Sequence, residues 1–210
     1  MTGLCPDVDP AHAEAVGGAL HDRWSEPHRS YHDVVHLAEV LAAVDELEDA
    51  DELTLHQARL ASVAAWFHDA VYDVHAPTGR TEEASALLAE EQLSGLGLPA
   101  SEVATIARLV RESATHEVQR PDAVAAAFHD ADLWILAAPT ERFEAYCTQV
   151  RLEYGHVRAS EFARGRVAVL TPFVERDRLY LTDHAHEHWT RQARANLTRE
   201  IDRLSGAGRG

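Results

Sequence analysis

Residues 61–69 read Ala61-Ser62-Val63-Ala64-Ala65-Trp66-Phe67-His68-Asp69, a run of small and apolar residues that ends on a histidine and an aspartate. Upstream, Thr54 and Gln57 have the spacing of a capping box, so a helix is predicted to open there. Leu60, Val63, Ala64, Trp66, Phe67 and Val71 then place apolar groups around most of its circumference, as expected of the central helix of an all-α fold. A histidine and a carboxylate at the end of such a run lose their hydration at high cost unless they are paired or hold a cation. The dipeptide His-Asp also occurs at 21–22, 32–33 and 129–130, but only His68-Asp69 closes an apolar run of this kind.

Outward from this helix the chain is punctuated by helix starts. Asp9-Pro10 opens a helix predicted to reach Trp24, and a second is predicted from about Ser30, with Leu37, Val40, Leu41, Val44 and Leu47 at helical spacing. Thr81 begins a helix that Gly95-Leu96-Gly97 ends, and Pro99 with Ser101 begins one that runs out near His116. Further starts fall at Pro121, at Pro139-Thr140, after Arg158 with a break or kink at Pro172, and at Thr182-Asp183. The expectation is a single helical domain of about eight or nine helices over residues 1–204, with a disordered tail over 205–210.

The formal net charge of −16 argues against nucleic acid as the main partner, because a phosphate backbone needs a basic face. There is no lysine, so phosphate recognition falls to arginine or to a metal, and 14 histidines with many carboxylates favour a cation site. No apolar stretch is long enough for a membrane span and no secretory signal is visible. Cys5 and Cys147 form no metal-type pair, and a cytoplasmic location is expected.

Helical register narrows the ligands. His32 and His36 are four residues apart and are predicted to share a face, with His36 at the edge of the apolar stripe and His32 free to meet substrate. Asp132 lies four residues after Phe128 and three before Ile135, toward the core, whereas Asp130 is predicted to point elsewhere, to the surface or behind a ligand. His36, His68, Asp69 and Asp132 are thus the candidate metal ligands. Such a set suits Mn, Co, Fe, Zn or Mg. The triplet His184, His186 and His188 is a weaker candidate, since only the first and last share a face.

The ordered series His36, His68-Asp69, Asp132 resembles the signature of the HD superfamily of metal-dependent phosphohydrolases. The words RSYHDVVH, AAWFHDAVYD, DADLWIL, VRLEYGHV, GRVAVL and ARANL, between about Trp24 and Leu204, resemble a bacterial family of predicted metal-dependent HD phosphohydrolases. The resemblance implies hydrolysis of a small phosphomonoester or phosphoanhydride, a nucleotide among the candidates. Asp69 would orient the nucleophile, and His116 would bind phosphate or a second ion. The nucleotidase branch carries a glutamate three residues after the motif aspartate; this chain has Tyr72 there, so Asp73 or Glu82 would supply acid or base. Arg29, Arg151, Arg158, Arg166 and Arg194 are the candidate anion-binding residues, with Arg151 and Arg166 foremost. A two-iron oxygenase on the same scaffold and a metal-stabilised binding module without turnover are the alternatives.

Overall fold

The computed structural model describes residues 8–118 and 122–207. Within these residues the chain is all-α, with nine helices and one 3-10 turn: α1 (Pro10–Trp24), α2 (Val34–Asp49), α3 (Leu55–Phe67), α4 (Arg80–Gly95), α5 (Ala100–Glu112), α6 (Ala123–Asp132), the turn Leu133–Ala137, α7 (Thr140–Glu153), α8 (Ala159–Glu175) and α9 (Asp183–Ala207). The predicted start at Pro121 lies outside the described residues, as do residues 208–210 of the predicted tail. Residues 205–207 are the last turn of α9 rather than part of a tail, because the helix propagates past Gly206.

The helix α3 is central for the reason its sequence suggests. Ala58, Leu60, Ala61, Val63, Ala64, Ala65 and Phe67 are all buried, and α2, α5 and α6 pack around it. Its start is the Thr54–Gln57 capping box, and it ends at Phe67, so His68 and Asp69 stand at the point where the chain leaves the core. Small residues at 58, 61, 64 and 65 let the neighbouring helices approach closely.

Two boundaries and one side-chain placement differ from expectation. Asp33 caps α2 by accepting hydrogen bonds from the Val35 and His36 backbone N–H groups, so the helix begins at Val34 and His32 sits in the preceding loop. His32 and His36 therefore share no helical face, although their rings still lie 5.8 Å apart. Pro172 does not break α8, which continues to Glu175. Asp130 is not on the surface: it is completely buried and accepts hydrogen bonds from Leu181 N–H, Thr182 N–H and the Thr182 hydroxyl at the entrance to α9.

The helix α9 also holds the turn that follows Asp132. The buried Asn196 side-chain amide donates to the carbonyls of Leu136 and Ala138, each at 2.9 Å, and Tyr180 donates its hydroxyl to the Leu133 carbonyl. These carbonyls sit in a 3-10 segment and a cap, where regular helical partners run out. The segment that follows Asp132 is thereby held in place.

Candidate metal centre

Four side chains from three parts of the fold converge at the floor of a cavity of about 530 Å³. The Nε2 atoms of His36 and His68 are 3.2 Å apart; Asp69 Oδ2 is 3.2 Å from His68 Nε2, and Asp132 Oδ1 is 3.5 and 3.4 Å from His36 and His68 Nε2. His36 and His68 are buried. The cluster His36, His68 and Asp69 can hold a metal ion.

The donor set fits a divalent cation on three grounds. First, His68 Nδ1–H donates to the Ala65 carbonyl at 2.8 Å, which leaves Nε2 with its lone pair aimed at the cluster. His36 Nδ1 meets the Tyr31 hydroxyl at 3.0 Å; in the tautomer that frees Nε2, Nδ1–H donates to the tyrosine oxygen. Second, two carboxylates enter the cluster with histidines as their only ion-pair partners among the described residues, so their charge is left for a cation or a proton to balance. Third, Trp24 and Phe128 pack against the His68 ring and exclude water from its far side.

Without a metal, a proton takes the cation's place. Burial alone would push the His68 imidazolium pKa down, but Asp69 and Asp132 outweigh it and hold the pKa well above the usual histidine value. Burial would raise both carboxylates, yet the adjacent His68 holds each well below the usual range. Burial lowers His36 and His116, so these rings are the neutral members. Metal binding at neutral pH should therefore release a proton.

Around this floor the structure sorts the other expected residues. His32, Tyr72, Asp73, Glu82, His116 and Arg166 line the cavity. His116 adopts a left-handed backbone (φ 49°), with Nδ1 3.6 Å from Asp132 Oδ2. Asp73 accepts a hydrogen bond from His75 N–H, and Glu82 accepts one from the Thr81 hydroxyl; among the described residues neither pairs with the four clustered side chains.

Two arginine expectations are corrected. Arg29 is buried beneath the motif, donating to the carbonyls of His32, Asp69 and Ala70, so it staples two loops together and does not face substrate. Arg151 donates to the carbonyls of Tyr154 and Val157 and lies over Phe162; it caps the end of α7, on the wall of a different groove. Of the lesser candidates, Arg194 caps the residues after α8 through the carbonyls of Arg176 and Asp177, and Arg158 is exposed at the start of that helix. The histidine triplet lies elsewhere, with His184 Nε2 2.8 Å from Glu46 at the end of α2.

Sequence reasoning missed two residues that shape the cavity. Arg176 lines it, donating to the His116 carbonyl at 3.1 Å and approaching His129 Nε2 at 3.4 Å; His129 Nδ1–H in turn donates to the buried Asp130. The dipeptide His129-Asp130 therefore positions an arginine rather than a metal. The other is Glu153, which continues the buried stripe Phe143, Tyr146, Cys147 and Val150 of α7. An acid at that place on an apolar stripe was the available signal.

Glu153 organises the loop that carries His32. One carboxylate oxygen accepts from the N–H groups of Ser30, Tyr31 and His32 at 2.7 to 3.0 Å. The other accepts from His32 Nδ1 and the Tyr72 hydroxyl, both at 2.7 Å, which leaves His32 Nε2 free. Burial would raise its pKa, but these donors, led by His32, bring it down to about 2 from an ordinary 4.5. A carboxyl lowered on folding stabilises the protein fully above its unfolded pKa and loses that contribution as pH falls through its folded pKa. Glu153→Gln should therefore cost about 3 kcal/mol near neutral pH, with the difference from wild type shrinking between about pH 4.5 and 2. Urea unfolding across that range measures it, and a pH-independent difference would refute the ionic role.

The chain matches no family model, no curated protein and no solved structure.

Proposed function

We propose that this chain is a metal-dependent phosphohydrolase acting on a small phosphomonoester or phosphoanhydride. The observation that carries the reading is the convergence of His36, His68, Asp69 and Asp132 at the floor of a cavity whose wall presents two arginines that have no carboxylate partner among the described residues. In a chain of net charge −16, with at least seven other arginines engaged by carboxylates, half-buried arginines held open toward a cation site suit an anionic ligand.

His36, His68, Asp69 and Asp132 would hold Mn, Co, Fe, Zn or Mg. Such an ion, when bound, supplies an activated water and neutralises charge developing on a phosphoryl group. The protein's own residues do the rest. Arg176, braced by His129 and the His116 carbonyl, is placed to bind phosphoryl oxygens beside the cluster. Asp69 has one face toward the cavity and can orient water. His32, with Nδ1–H committed to Glu153, offers Nε2 to the cavity as a proton carrier, whereas Asp73 and Glu82 make no contact with the four clustered side chains among the described residues.

A second reading, a two-iron oxygenase, draws on His116 and His32 lining the same cavity, with His116 Nδ1 close to Asp132. The two are separated by one experiment: bound metal is quantified and a panel of phosphorylated metabolites is screened with each ion, while oxygen consumption is followed. Release of phosphate with about one ion bound supports the hydrolase; two irons, oxygen uptake and no phosphate release support the oxygenase. No helix among the described residues is long and apolar enough to cross a membrane.

A further inference from the structure

We infer that the substrate is elongated and anionic at both ends, with one anion at the metal centre beside Arg176 and a second at Arg166. The inference rests on the phosphohydrolase reading and adds a substrate class to it. Arg166 lies within α8 and Arg176 is the residue that caps its C-terminal end, ten residues on, which places their backbones about 15 Å apart along the helix axis. Between them the same helix presents Val169, Leu170, Pro172 and Phe173 to the cavity, an apolar stretch of wall for an uncharged middle section.

The two guanidinium groups stand at different removes from the cluster. Arg176 touches the His116 carbonyl, and His116 touches Asp132. Arg166 donates to the Tyr146 hydroxyl; the Tyr146 ring packs on Tyr31 at 4.5 Å, and Tyr31 reaches His36. One arginine is thus a single residue from Asp132, and the other is two aromatic rings from His36. Neither has a carboxylate within 4 Å among the described residues; Arg166 is half-buried against the Tyr146 hydroxyl, and the Glu200 carboxylate acts on it only from farther off. A cavity of about 530 Å³ also exceeds what a small single phosphate ester fills and suits a ligand of nucleotide size.

The test uses non-hydrolysable alkane phosphonates and Mn²⁺-loaded protein, with affinity read by calorimetry. Monophosphonates and α,ω-bisphosphonates of increasing chain length are compared. The bisphosphonates should bind no better than monophosphonates while short, then gain about 30-fold or more once the chain spans both arginines, the usual effect of a desolvated charged contact. In Arg166→Met that gain should disappear. Equal affinities for both series at every length would overturn the two-anion inference while leaving single-phosphate binding, and so the phosphohydrolase reading, in place. A gain that survives in Arg166→Met would also overturn the assignment of Arg166. Failure of every phosphonate to bind the metal-loaded protein would count against the phosphohydrolase reading itself. The wild-type length series needs no variant, so the inference stays testable even if Arg166→Met fails to fold.

Discussion

His68→Ala should weaken divalent-metal affinity by a few hundred- to a thousand-fold. The estimate follows from the scale of four-ligand protein sites, about 10–16 kcal/mol, or roughly 2.5–4 kcal/mol for each ligand, with His68 toward the upper end. His68 is the ligand with most to lose because its orientation is built in: the Nδ1–H bond to the Ala65 carbonyl aims Nε2 at the cluster. The variant also leaves Asp69 and Asp132 without the imidazolium that balances them in the metal-free protein. Asp132→Ala should behave likewise, whereas Asp130→Ala should retain metal and lose stability, since Asp130 is spent on the backbone of Leu181 and Thr182. Competitive chelator titration measures both; retention of wild-type affinity in His68→Ala would remove it from the ligand set.

The second large effect is on turnover. Arg176→Ala should lower kcat/KM for the phosphate ester that the screen identifies by roughly 30-fold to several-thousand-fold, because removing a desolvated, hydrogen-bonded charged contact costs about 2–5 kcal/mol. Metal content should not change, since Arg176 meets the cluster only through His116. Arg151→Ala is the control. Its guanidinium serves the carbonyls of Tyr154 and Val157, so it should change thermal stability and not kcat/KM. Equal kinetics in Arg176→Ala and wild type would place the phosphate elsewhere in the cavity.

The contrast between these arginines marks what the sequence could and could not reveal. The fold was legible because its signals are local: the Thr54–Gln57 box, the apolar run to Phe67, and helix-start chemistry at Asp9, Pro99 and Pro139 each act within a turn or two. The clustering of His36, His68 and Asp132 was also legible, because each lies at the edge of an apolar stripe and must turn toward the core. The start of α2 was misjudged although its signal was present: Asp33 is a strong cap, and weighing it would have put His32 in the loop. Arg166, expected from the sequence, does line the cavity, but that Arg176 faces it as well was not legible. It depends on how α8 lies across the bundle and on a carbonyl of His116, some 60 residues away in sequence. Asp130 misled for a related reason. Its partners, Leu181 and Thr182, come from a distant segment, and nothing in its own helix announces them.

The central claim is that one divalent ion is held by His36, His68, Asp69 and Asp132. Anomalous diffraction from crystals of the Mn²⁺- or Zn²⁺-loaded protein tests it most directly, because it locates the ion without reference to activity. The account predicts a dominant anomalous peak where the His36 and His68 Nε2 atoms and the two carboxylates converge, and its loss in His68→Ala. A fully occupied peak at another place, such as the His184–His188 face, with none at this cluster, would contradict it.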